Sequence, residues 1–290
     1  MFGECHAHLF MDGENYKEAV RRHSGQVDES DLRRHLQAYA HSGVTFLRDG
    51  GDYLGVSRRG KELAGEYGID YRTPVFAIHK EGYYGGIVGR AFSNLKEYHR
   101  LVLEAAAQGC DFIKIMTTGI MDFATDGSIT GEALAADEVR EMIHIAHEEG
   151  FAVMSHTNGD QAVRDVVEAG VDSVEHGNFM SRDTLDLLAE SQTVWVPTIA
   201  TIYNLIDNGR FENTVLKNLY ERASENLCYA YEKGVKTALG SDAGAYCVPH
   251  GRGTVDEYEI YRKNLGYSEK TDGWIAQGEC IIRKRFRRQT

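Results

Sequence analysis

A chain of 290 residues is long enough for one large domain with a substantial core, and a single α/β barrel needs roughly 250. Its 44 acidic and 32 basic residues leave a formal charge of −12, which repels a polyphosphate backbone and argues against a nucleic-acid partner. Five cysteines without a C-x-x-C pair suggest neither a disulfide framework nor a zinc knuckle, and no run approaches the roughly 20 apolar residues of a membrane span, so a cytoplasmic protein with no membrane partner is expected.

The first predicted strand runs from Phe2 to Phe10 and carries Cys5-His6-Ala7-His8. Seven further short apolar runs follow: Val44 to Asp49, Pro74 to His79, Phe112 to Met116, Phe151 to His156, Val171 to His176, Val194 to Thr201 and Val235 to Ser241. Between them the three- and four-residue apolar spacing of helices returns, as in Leu95, Leu101, Val102 and Ala105, or Val139, Ile143 and Ala146. Gly43, Gly68, Gly109, Gly150, Gly170 and Gly234 each lie just before a strand, where a helix ends best on a left-handed residue.

Two connections are long: Lys80 to Ser93, rich in glycine and holding Tyr83 and Tyr84, and Thr117 to Ala136, holding Asp126-Gly127-Ser128. Loops of this length suggest lids. Within the first, Tyr83 and Tyr84 either stack on a substrate or pack the loop. From Ser268 one more helix is predicted, ending in Arg283, Lys284, Arg285, Arg287 and Arg288 and read as a solvated tail over 268–290 behind a single domain over 1–267.

Eight strands alternating with helices, each too apolar to have a wet face, imply an α/β fold closed into a (β/α)8 TIM barrel. An open doubly wound sheet ranks behind it, because His8-Leu9-Phe10-Met11 offers no G-x-G-x-x-G phosphate turn after the first strand.

In such a barrel the C-terminal strand ends share one mouth. His6, His8, Lys114, His156, His176 and Asp242 all fall at or beside strand ends, and imidazoles and a carboxylate are ligands for zinc and related divalent metals. His6 and His8, at i and i+2 on a strand, point the same way and can share one ion. Lys114 is the odd member, since an ammonium repels cations. Taken alone it reads as a buried lysine paired with Asp111 or Asp122; the histidines around it outweigh that reading. His144 and His147 form no H-E-x-x-H motif and read as a solvated helix face. His23, His35, His41 and His99 are assigned to the surface, and Cys247 is read as a bystander to His250.

H-x-H on strand 1, lysine on strand 4, histidines on strands 5 and 6 and aspartate on strand 8 resemble the amidohydrolase superfamily. Gly240-Ser241-Asp242-Ala243-Gly244 followed by Pro249-His250-Gly251 is similar to its imidazolonepropionase-like and dipeptidase-type members. The resemblance implies two divalent metals, most simply zinc: His6, His8 and Asp242 on the first, His156 and His176 on the second. Lys114, carboxylated by carbon dioxide to a carbamate, would bridge them. It implies amide hydrolysis through a metal-bridging hydroxide, with Asp242 as the proton shuttle. True imidazolonepropionases resemble a one-metal pattern without the strand-4 lysine, so Lys114 argues against that activity.

The accessory β-sandwich usual in such members is expected to be absent or reduced. His79 at strand 3, Tyr203 after strand 7 and His250 in loop 8 are the expected substrate contacts, the latter two also as catalytic oxyanion partners. A small molecule is the expected partner, a dipeptide, an N-acyl amino acid or a cyclic amide; homo-oligomerisation is left open. The alternatives are a lactone or phosphotriester hydrolase on the same site, a mononuclear deaminase, and a non-catalytic metal-binding barrel.

Overall fold

Residues 2–288 are described by the structure, a computed structural model. The strand β1 (Glu4–Ala7) pairs in parallel with β2 (Phe46–Asp49), and β2 with β3 (Asp70–Arg72). In the second sheet β4 (Ala77–Lys80) lies between β5 (Gly89–Phe92) and β6 (Ile113–Met116), and β7 (Val153–Thr157), β8 (Ser173–His176) and β9 (Val194–Val196) follow in parallel order.

Two departures from the predicted strands explain why one barrel is divided into two sheets. The third strand is split because Pro74 has no N–H to give the ladder and Val75 turns at φ 69°; β3 faces β2 and β4 faces β6. The eighth, Val235 to Ser241, is no regular strand and contributes a bridge at Thr237. Residues 235–243 nevertheless close the ring. Trp195 N donates to Lys236 O (2.8 Å), Cys5 N to Leu239 O (2.9 Å), Asp242 N to His6 O (2.8 Å) and His8 N to Ala243 O (2.8 Å). The (β/α)8 barrel therefore stands with eight strand positions, and among the described residues every strand belongs to these two sheets, with none forming an accessory sandwich.

The helices follow as α1 (Tyr16–His23), α2 (Glu29–His41), α3 (Val56–Leu63), α4 (Leu95–Ala107), α5 (Ala136–Glu148), α6 (Asp160–Glu168), α7 (Arg182–Glu190), α8 (Ala200–Tyr203), α9 (Asn213–Lys233), α10 (Arg252–Leu265) and α11 (Glu269–Arg285). Asp28, Asn94 and Ser268 cap α2, α4 and α11 with side-chain oxygens. The apolar stripes read from sequence bury Leu101, Val102 and Ala105 of α4 and Val139, Ile143 and Ala146 of α5 against Ile113, Ile115 and Val153 of the barrel. All six glycines expected at helix ends have positive φ. His23 and His35, expected at the surface, are instead buried, because α1 and α2 close over Asp31, which also pairs with Arg22 and Arg34. Among the described residues no helix is long and apolar enough to cross a membrane.

The glycine-rich connection after β4 is not wholly loop. Gly89 opens β5 so close to β4 that a Cβ there would lie 2.2 Å from Ala77 O, which is why β5 needs glycine at that point.

The tail expected to be solvated is also built in. Ile282 of α11 and the following Phe286 pack with Cys5, Phe46, Phe112, Met154, Val194, Val196 and Ala238, covering the end of the barrel opposite the mouth. Glu279 accepts from Gly3 N at 2.6 Å, and the contact at Gly278 is so tight that a Cβ would stand 1.9 Å from Thr237 O. Of the basic residues that suggested a solvated helix, Lys284 and Arg287 are exposed, whereas Arg283 and Arg285 are half-buried and donate to Glu279 and to Gln192 O. Phe286→Ala is expected to lower stability by about 3–5 kcal/mol through the cavity it leaves; a denaturant midpoint unchanged from wild type would contradict that packing role.

Candidate metal centre

The six residues expected at the mouth meet there. His6 of β1 and His8 just beyond it both reach the site, while Glu4, across a register irregularity between Glu4 and Ala7, accepts from Ser241 Oγ and Thr254 Oγ1 instead; on β6 Lys114 stands two positions above Phe112, and on β7 His156 two above Met154, both of those in the buried base cluster. His6 Nε2 lies 3.5 Å and His8 Nε2 3.7 Å from Asp242 Oδ1. Lys114 Nζ is 3.5 Å from His6 Nε2. The His176 ring is 5.0 Å from that of His6 and 4.6 Å from that of His156.

Backbone strain contributes to this convergence. Strict alternation would send either Glu175 or His176 away from the barrel axis, yet both reach it, because His176 has φ 66° and turns out of the strand. Trp195 Nε1 donates to His176 O at 2.8 Å and holds that turn. Asp242 sits at φ 59°, the other left-handed residue among the six.

Three of the four histidines, His6, His156 and His176, are oriented by a hydrogen bond from one ring nitrogen. His6 Nδ1 donates to Glu175 Oε2 (2.7 Å), which leaves Nε2 with a free lone pair. His156 Nε2 donates to Gly119 O (3.1 Å), leaving Nδ1; His176 Nδ1 is taken by Thr198 Oγ1 (2.7 Å), leaving Nε2. Burial, reinforced by the Lys114 charge, holds His8 and His156 at a pKa of about 3, and His6 and His176 well below the ordinary imidazole value. All four are neutral at pH 7, the form that ligates metal. Burial also lowers the Lys114 pKa, with Glu175 and Asp242 opposing, and raises that of Asp242, with Lys114 opposing.

His6, His8 and Asp242 each offer a ligand atom within 4.8 Å of the others. Asp242 Oδ1 and His8 Nδ1 are buried without a hydrogen-bond partner, a state that costs about 1–3 kcal/mol per group unless something binds there. Imidazole and carboxylate donors with unspent acceptors suit a divalent transition metal, so the residues present fit a metal ion. The acid partners considered for Lys114 are elsewhere: Asp111 pairs with Lys61 at 2.7 Å, and Asp122 lies in the loop accepting from Ala124 N.

His8, Lys114, His156, His176 and Asp242 line the floor of a cavity of about 690 Å³. Tyr84, Ile87, Met116, Met121, Phe123 and Phe211 give it apolar walls, and Asn158, Asn178, Arg210 and Tyr246 add polar groups. Both long connections border it, through Tyr84 and Ile87 and through Ile120, Met121 and Phe123. Tyr84 also stacks at 5.2 Å on His156, whereas Tyr83 packs against the outer core.

The three expected substrate contacts do not line the cavity. His250 is buried, with Nδ1 bonded to Tyr39 Oη (2.9 Å) and Nε2 donating to Met11 O (2.8 Å), so both ring nitrogens are spent tying loop 8 to α2 and to the segment after β1. His79 bonds Lys80 O through Nδ1 at 3.0 Å and packs under Gly85. Tyr203 stacks on Tyr220 and accepts from Lys263 Nζ at 3.3 Å. Sequence position near a strand end does not say which way these side chains face. Glu175 and Arg48 were missed, although a charged residue inside Val174-Glu175-His176 or Phe46-Leu47-Arg48 is itself a signal.

A family model described as Amidohydrolase family matches residues 2–273. The chain belongs to the amidohydrolase family. This amidohydrolase is 26% identical to ochratoxinase of Aspergillus niger over 188 residues, 62% of this chain and 37% of that protein. It is 33% identical to an uncharacterized protein of Mycobacterium tuberculosis over 122 residues, 40% of this chain and 33% of the other. The match thus spans about a third of the length of these curated relatives. Among solved structures it resembles a Xaa-Pro dipeptidase with methionine bound in the active site, at a TM-score of 0.77 and 23% identity, covering 100% of this chain and 77% of that one. The A. niger ochratoxinase structure gives a TM-score of 0.75 at 16% identity, covering 97% and 71%. At these identities the structures speak for a shared fold.

Proposed function

We propose that this chain is a binuclear metal-dependent hydrolase that cleaves an amide bond in a small molecule. The observation that carries the proposal is the convergence of three neutral histidines, a lysine and a carboxylate with an unpartnered oxygen on the floor of one large cavity, with a fourth histidine, His6, buried against Lys114 and Asp242. His6, His8 and Asp242 would hold one ion, His156 and His176 a second. Lys114, once its neutral Nζ has attacked carbon dioxide and lost a proton, would bridge them as a carbamate. That modification replaces a cation with an anion where the histidines gather, and the lowered pKa of Lys114 favours the neutral amine it requires.

Divalent metals supply water acidified toward neutral pH and a polarised carbonyl. The remaining work falls to the chain. Asp242 takes the proton of the attacking water on its carboxylate and delivers it to the leaving nitrogen. Asn158 and Asn178, linked at 2.8 Å, present amide groups beside the floor. Tyr84 and the apolar walls exclude water and seat a bulky apolar group. Arg210, its guanidinium 4.4 Å from the Tyr246 ring centre, supplies a cation at the rim for a substrate carboxylate.

Those groups suit a dipeptide or an N-acyl amino acid, and the likeness to proteins named dipeptidase and ochratoxinase supports the same choice. Metal analysis of protein purified without chelators, with hydrolysis of pooled dipeptides and N-acyl amino acids, tests the reading. Two metals per chain with amide cleavage are expected. Two metals with activity on lactones or phosphotriesters alone would overturn the amide assignment, and one metal would overturn the binuclear one.

A further inference from the structure

Below the metal-ligand cluster lies a buried ionic chain that crosses the barrel. Arg48 of β2 is fully buried and spends its guanidinium on Glu175 Oε1 (2.9 Å) and Oε2 (3.0 Å), Ser173 Oγ (2.8 Å) and Cys5 O (2.7 Å). Glu175 is equally buried, accepts from Ser173 Oγ at 2.5 Å, and uses Oε2 on His6 Nδ1 at 2.7 Å. Phe286 closes the assembly from beneath, its ring centre 4.4 Å from the Arg48 guanidinium carbon.

A buried ion pair is a weak source of stability, because desolvating two charges offsets most of their attraction and an apolar pair of equal volume often does as well. What this one supplies is direction. A carboxylate accepts only, so the bond forces the proton of His6 onto Nδ1 and leaves Nε2 as a lone pair, 3.5 Å from Asp242 Oδ1 and 3.5 Å from Lys114 Nζ. Arg48 Nη2 in turn donates to both carboxylate oxygens, while Nε and Nη1 anchor the guanidinium on Cys5 O and Ser173 Oγ, so Glu175 is held in place. Resting on the metal-centre reading above, we infer that Arg48 and Glu175 are positioning residues that fix the tautomer and angle of His6 for metal binding, reaching the site from the barrel base.

Loss of such an outer partner typically weakens metal affinity about 10–100-fold. The probe is cobalt(II), titrated into chelator-stripped protein and read by its visible absorption. Glu175→Gln leaves Arg48 as an uncompensated buried charge and will be hard to fold. The paired variant Arg48→Met with Glu175→Gln leaves none. It is expected to melt near the wild-type temperature yet bind cobalt about 10–100-fold more weakly, with an altered spectrum. Wild-type affinity and spectrum in that variant would show the chain to be merely structural and overturn the inference. A second measurement needs no variant. In ¹⁵N-histidine-labelled apoprotein the His6 resonance, assigned by its loss in His6→Gln, should report Nδ1–H, and an Nε2–H tautomer would overturn the inference too. A wild type that takes up no cobalt would remove the metal centre itself, and this role with it.

Discussion

Lys114→Ala loses metal binding and hydrolysis together, by more than the roughly 100-fold at which loss of an outer hydrogen-bond partner tops out. Lys114 stands on the cavity floor, buried, with Nζ 3.5 Å from His6 Nε2 and no acid at hydrogen-bonding distance, since Asp111 is held by Lys61. As an ammonium it would oppose any cation the histidines attract; as the proposed carbamate it would become the anion that joins two of them. Truncation to alanine removes that anion and leaves a gap above Phe112 and beside His6. Short carboxylates fit such a gap, so millimolar formate, acetate or propionate should restore part of the metal content and part of the turnover. The fold should survive, because removing a buried ammonium removes its desolvation cost as well. Elemental analysis, turnover with and without propionate, and far-ultraviolet circular dichroism check the three parts. A variant that keeps two metals and full turnover without added carboxylate would end the bridging role.

What the amino-acid order reveals here divides along physical lines. Strand and helix alternation was legible because burial on both sheet faces imposes apolar runs, and the six helix-end glycines announce themselves by the φ they adopt. The convergence of the candidate cluster was legible because an ionisable side chain at the end of a buried strand must be paired, solvated or bound, and His6, His8, His156 and His176 have no sequence neighbour of opposite charge placed to pair with all of them. Direction was not legible. His250 and His79 lie near the mouth, but whether a ring faces the cavity or the helix layer depends on one or two backbone dihedrals, as the turn at His176 shows from the other side. The third and eighth strands misled for a similar reason: an apolar run states burial, and ladder hydrogen bonds need regular φ and ψ that Pro74 and Val75 do not supply. The cavity walls from Arg210, Phe211 and Tyr246 come from loops whose folding no periodicity specifies. At the end of α11 the basic residues masked two apolar side chains, Ile282 and the following Phe286, that plug the barrel.

Asp242→Asn is expected to cut turnover about 10²–10⁴-fold, the range that a positioned proton shuttle contributes, while moving stability by less than about 1 kcal/mol. Two features of the site separate these effects. Asp242 has φ 59°, a left-handed backbone that asparagine adopts as readily as aspartate, so the turn that closes the ring through Asp242 N and His6 O is kept. Oδ1 is buried with no hydrogen-bond partner, and neutralising it leaves no new donor or acceptor stranded beyond the one amide nitrogen that replaces an oxygen. The carboxamide, by contrast, cannot accept a proton from water and hand it to a leaving nitrogen at any pH where the fold survives. It is also a poorer metal ligand than a carboxylate, so metal content must be measured beside the rate: a variant that retains both ions and still turns over slowly isolates the proton transfer. If instead thermal stability fell in step with activity, the carboxylate would be holding the barrel rim together, and the shuttle would have to be sought in another group on the cavity floor.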